Sequence, residues 1–175
     1  MGKSWMRFRY GLGAVVLMIS GLSTPALADT RFYAFDAADR TTQSLTRGIT
    51  LEVERGLFGA TRVRGLFSTS ARGSASFRTA SPSGIAEALP SEARGGDIYA
   101  ILPEGDGPAL SRALCPGSTE AWFVVGRVRS GRPVTMHAVG IWPDGKYRHC
   151  VALNYRYRGE WASLPNASGE MPSDR

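Results

Sequence analysis

The last third of the chain limits the possible folds most. Three runs, "EAWFVVGRV", "RPVTMHAVGIW" and "YRHCVALNYRY", are rich in β-branched and aromatic residues and are separated only by "RSG" and "PDGK". Such residues at a period near two, broken by Gly-containing dipeptides, specify antiparallel strands joined by tight turns. Turns at Ser130-Gly131 and Asp144-Gly145 pair Val125 with Met136, Met136 with Leu153, Val134 with Tyr155 and Trp142 with Tyr147. One face is then continuously apolar. The other carries Trp122, Val124, Val139, Ile141 and Cys150 among polar residues, and a helix ending at Cys115 is expected to cover it.

Earlier segments extend the same pattern. "ITLEVER" puts Ile49, Leu51 and Val53 on one side and Thr50, Glu52 and Glu54 on the other, the signature of a half-buried strand. Paired with "TRVRGLF" as a hairpin, it sets Val53 against Val63, Ile49 against Phe67, Glu54 against Arg62 and Glu52 against Arg64. "RFYAF" and "DIYAIL" read as further strands, and Ala75 to Thr79 as an edge strand. "DAADRTTQSLTRG" reads as a connection or short helix. "SGIAEAL", capped by Ser83, and "DGPALSRAL", capped by Asp106 with Pro108 in its first turn, read as two short helices. The fold class expected is a single α+β domain, mainly an antiparallel sheet of about seven strands with two short helices and one disulfide.

The first 28 residues carry Lys3, Arg7 and Arg9, then an uncharged, mostly apolar run from Gly11 to Leu22, then Pro25 and Ala26-Leu27-Ala28. This is the layout of a cleaved secretory signal peptide, with the apolar run too short to span a bilayer. It predicts a domain over 29–163 and a flexible tail over 164–175, located in the periplasm or secreted, with no transmembrane segment in the mature chain. Removing the leader takes the net charge from +6 to +3, which weakens the nucleic-acid reading that a basic chain invites. In an exported chain the two cysteines, Cys115 and Cys150, are expected to pair.

Candidate chemistry is sparse. His149 and Cys150 are adjacent, but neighbours in a strand point to opposite faces, so imidazole and thiol do not meet. The same alternation places His149 on the apolar face opposite Gly140 and His137 on the other, so the two histidines are not expected to converge, and no metal or cofactor is expected. There is no G-x-S-x-G, no S-x-x-K in the mature chain and no phosphate loop. Arg127, Arg129, Arg132, Arg148, Arg156 and Arg158 cluster near the turns and outer strand of the final sheet, a surface suited to an anionic polymer or an envelope protein. Leu57 and Phe58, between glycines at a hairpin tip, form a second possible contact. The function expected is a small exported binding or interaction domain of the bacterial envelope. The alternatives are an exported hydrolase using dispersed carboxylates or His137, and a structural component of an envelope assembly.

Overall fold

The alternating runs become eight antiparallel strands in a computed structural model that describes residues 29–56, 61–69 and 73–162. They are β1 (Asp29–Ala37), β2 (Gly48–Arg55), β3 (Thr61–Ser68), β4 (Ser74–Thr79), β5 (Asp97–Ile101), β6 (Glu120–Val125), β7 (Val134–Ile141) and β8 (Tyr147–Trp161). Each pairs with its sequence neighbours, and β8 returns to β1, closing a barrel. The domain is single, mostly antiparallel and disulfide-linked. The expected seven strands are corrected to eight, and the sheet closes on itself.

Two strands make the closure. The first half of β8 pairs with β7, from Ile141↔Tyr147 to Val134↔Tyr155, and its second half with β1, from Ala37↔Tyr155 to Phe32↔Trp161. In the same way β4 pairs with β3 through Ser74–Ser76 and with β5 through Phe77–Thr79. β4 therefore passes from one partner to the next along its length and is not the edge strand expected. Where the pairing changes hands, side chains fill the gap. Tyr99 Oη accepts from Val63 N at 3.2 Å. On the other side, Thr42 Oγ1 accepts from Asn154 N at 2.9 Å.

Thr42 belongs to α1 (Arg40–Leu45), within the segment read as a connection or short helix. Asp39 caps it by accepting from Thr42 N, and also takes a hydrogen bond from the Asn154 side chain. The helix is thus tied to β8 by the same residue that starts it. The second helix, α2 (Gly107–Leu114), has Asp106 at its cap position as expected, but the Asp106 carboxylate instead accepts from Ser74 N at 3.1 Å. Gly107 lies so close to the Leu102 carbonyl that no Cβ would fit. The expected helix at "SGIAEAL" is replaced by two short 3-10 turns, Ile85–Ala88 and Ser91–Ala93, the first preceded by Gly84 in a left-handed conformation with no side-chain cap.

An eight-stranded barrel is just wide enough for side chains to fill. Here Tyr33, Phe35, Phe77, Tyr99, Phe123 and Tyr155 fill it together with aliphatic residues, and Leu110, Leu114 and Cys115 of the α2 segment belong to the same cluster. α2 therefore joins the barrel interior and does not cover the outer face, as had been expected. The outer face of β5, β6 and β7 is covered by the 80–96 connection, where Ile85, Leu89 and Ala93 pack on Trp122, Val124 and Val139.

Two bulges shift the expected registers. In β2/β3 the pairing moves by one between Glu52 and Val53. Val53↔Val63 and Glu54↔Arg62 hold, but Ile49 faces Ser68, Glu52 faces Gly65, and Arg64 is the extra residue, bonded to Glu54 at 2.7 Å. In β7/β8 the extra residue is Cys150. Met136↔Leu153 and Val134↔Tyr155 hold, whereas Ile141, and not Trp142, faces Tyr147. The cause is the turn: Trp142 N bonds to Lys146 O around a loop of Pro143, Asp144 and Gly145, with Gly145 at φ 75°, a three-residue hairpin loop in place of a two-residue one. The Cys150 bulge turns its sulfur toward Cys115, and the two form the expected disulfide, with Cα atoms 5.3 Å apart.

Candidate functional site

A filled interior leaves the outside of the barrel for function. β1, β2, β8 and α1 border an open groove of about 420 Å³. Its floor is made of small residues and backbone: Ala34 is 7% exposed, and a Cβ on Gly48 would come 2.9 Å from the Phe35 carbonyl. Thr69 fixes one wall by accepting from Gly48 N and donating to Gly48 O. Arg47, Arg156 and Arg158 stand around this floor with Gln43 and Asp36.

Arg47 follows α1 in the left-handed region, at φ 61°. Its N–H reaches the Thr42 carbonyl at 3.3 Å and its carbonyl accepts from Ala37 N at 2.9 Å, which together hold the conformation. Glycine takes this conformation without steric cost, whereas an L side chain loses about 1 to 2 kcal/mol there. A strained residue of this kind is where function is worth seeking. Arg158 approaches Asp36 at 3.7 Å, both well exposed, a contact of small energetic value. Arg47 and Arg156 have no carboxylate partner among the described residues. The groove therefore holds uncompensated positive charge.

The other arginines named from the sequence lie elsewhere. Arg148 bonds to Asp144 at 2.7 Å and its guanidinium sits 5.0 Å from the Trp142 ring centroid, at the opposite end of β8. Arg127, Arg129 and Arg132 are exposed on the β6–β7 loop, whose Val128 tucks into the main core. Leu57 and Phe58 lie outside the described residues. Arg47 was missed by sequence reasoning because it precedes β2, far in sequence from Arg156, and the β1–β2 and β1–β8 registers unite them.

The histidines also differ from expectation. The Cys150 bulge carries His149 to the outer face beside His137, and Nδ1 of His137 lies 3.1 Å from Nε2 of His149. They do converge. His137 is buried at 6% exposure and His149 is exposed. Burial lowers the pKa of both, the neighbouring imidazole lowers His137 further, and Glu92 pulls both upward.

The carboxyl groups whose acidity the fold shifts, Asp39 and Glu92, both move downward, each chiefly through a backbone N–H bond, that of Thr42 for Asp39 and its own for Glu92. General acid catalysis at neutral pH asks for the opposite shift. Neither histidine lines the arginine groove. Among the described residues no group of three or more His, Cys, Asp or Glu is placed to hold a metal ion, and no helix is long and apolar enough to cross a membrane. Comparison of the chain with known protein families, curated proteins and solved structures gives no match.

Proposed function

We propose that this protein is an exported, periplasmic or secreted, binding domain whose α1–β1–β2–β8 groove takes the anionic groups of an envelope polymer. The observation that carries this reading is the convergence of Arg47, Arg156 and Arg158 on one groove with a small-residue floor, two of the three guanidiniums having no acidic partner among the described residues. Guanidinium groups suit carboxylate and phosphate oxygens because their forked donors match them two at a time. The leader-like first 28 residues and the Cys115–Cys150 bridge support export. The filled barrel supports surface contact over enclosure of a small ligand.

The test is titration of the mature chain with heparin and with polygalacturonate, two anionic polymers, at low and high salt. Replacing Arg47 and Arg156 together by Ala should weaken binding about tenfold or more, and added salt should weaken the wild type. Unchanged affinity in that double variant, with loss in a variant lacking Arg127, Arg129 and Arg132, would move the site to the β6–β7 loop.

A further inference from the structure

We propose that His137 and His149 form a binding site for a divalent first-row transition ion, Cu²⁺ foremost, with one nitrogen from each imidazole as ligand. The site is separate from the arginine groove and stands without it.

Adjacent strands deliver the two nitrogens. His137 is on β7 and His149 on β8, and the Cys150 bulge puts both rings on the outer face, with centroids 5.2 Å apart and planes inclined at 51°. A metal about 2.0 to 2.1 Å from two imidazole nitrogens, with a ligand angle of roughly 90 to 110°, holds those nitrogens about 2.8 to 3.4 Å apart. The separation in the protein is 3.1 Å. Without the ion, one imidazole donates to the other, since each neutral ring has one donor and one acceptor nitrogen. Binding moves that proton to the far nitrogen of the same ring, so both facing lone pairs become ligands and no co-reactant is consumed.

The surroundings favour a cation at this point. His137 is buried, and on the same outer face Val139 packs with Ala93 of the 80–96 connection. Glu92, next to Ala93, is exposed and exerts its charge on both imidazoles. Its carboxylate now accepts from Ser91 Oγ at 3.2 Å. Water completes the shell around the two nitrogens. Two imidazole nitrogens and water suit Cu²⁺, which also stands highest among divalent first-row ions in affinity for such ligands.

The test is titration of the mature chain with CuSO₄ alone, followed by ligand-field absorption and electron paramagnetic resonance. The result expected is one Cu²⁺ per chain with nitrogen hyperfine structure, and binding at least about tenfold weaker in His149→Ala, whose exposed side chain can be removed without unfolding the domain. Glu92→Gln should weaken binding by a smaller factor, because it removes a negative charge that acts on both imidazoles. Weaker binding is expected as pH falls, because protons compete for the same nitrogens. Equal affinity in wild type and His149→Ala, or a spectrum without two nitrogen ligands, would overturn the proposal. Circular dichroism of each variant separates loss of the site from loss of the fold.

Discussion

The two outer faces of this barrel differ although one chain builds both. Over β5, β6 and β7, the apolar Trp122, Val124 and Val139 are covered by Ile85, Leu89 and Ala93 of the 80–96 connection. Over β8, β1 and β2, the outward positions are Arg156, Arg158, Ala34, Asp36 and Thr50, bordered by α1 and otherwise open as a groove. Burial drives the first arrangement, since each large apolar side chain removed from water contributes roughly 1.5 to 3 kcal/mol. The second buries little and leaves charge uncompensated. The difference separates a face that stabilises the fold from a face free to bind.

If that division is right, truncations on the covered face should be expensive. Trp122→Ala is expected to cost about 3 to 5 kcal/mol, through lost burial and the cavity left beneath the 80–96 connection, read as a fall in the urea midpoint. A change below about 1 kcal/mol would show that the cover is loosely packed. Breaking the disulfide by Cys115→Ser with Cys150→Ser should cost somewhat less, about 2 to 4 kcal/mol, by the same measurement. Tyr155→Phe removes one of the two partners of the buried Thr46 hydroxyl, 2.8 Å away, leaving its bond to the Thr42 carbonyl, and should cost about 1 to 2 kcal/mol. On the open face the sign changes. Arg47→Gly relieves the left-handed conformation and should leave stability unchanged or raise it by up to about 1 kcal/mol, while weakening polyanion binding.

The smallest effect is one of pH. The pKa values of folded His137 and His149 lie below the ordinary imidazole value. The unfolded chain therefore takes up protons first as pH falls below about 6.5, and stability must decline there. The stabilising contribution is fully present above that value. A His137→Gln, His149→Gln variant should show a flatter stability profile between neutral and mildly acidic pH. An equally steep decline would place the effect in other groups.

These contrasts also explain what the sequence conveyed. Local alternation located the strands, and the Gly-containing turns set Val125↔Met136 and Met136↔Leu153 correctly. The cysteine pair was legible because one partner was available. What failed was non-local. A bulge inserts one residue without leaving a mark in the pattern, and every side chain beyond it changes face. The Cys150 bulge alone converted His149 from a core position into the neighbour of His137. Closure was equally hidden, because β8 reads as one long strand whether it has one partner or two in succession. Arg156 and Arg158 were recognised as basic, but their groove needs Arg47, which only the β1–β2 and β1–β8 registers bring to them.

The division between a covered and a binding face is most directly tested by following backbone amide resonances of the ¹⁵N-labelled protein during titration with heparin at low salt. Saturable shifts are expected at Arg47, Gly48, Arg156 and Arg158, reversed by added salt, with Trp122, Val124 and Val139 unmoved. Shifts centred on residues 126–132, or on the 80–96 cover, with the groove residues silent, would contradict it.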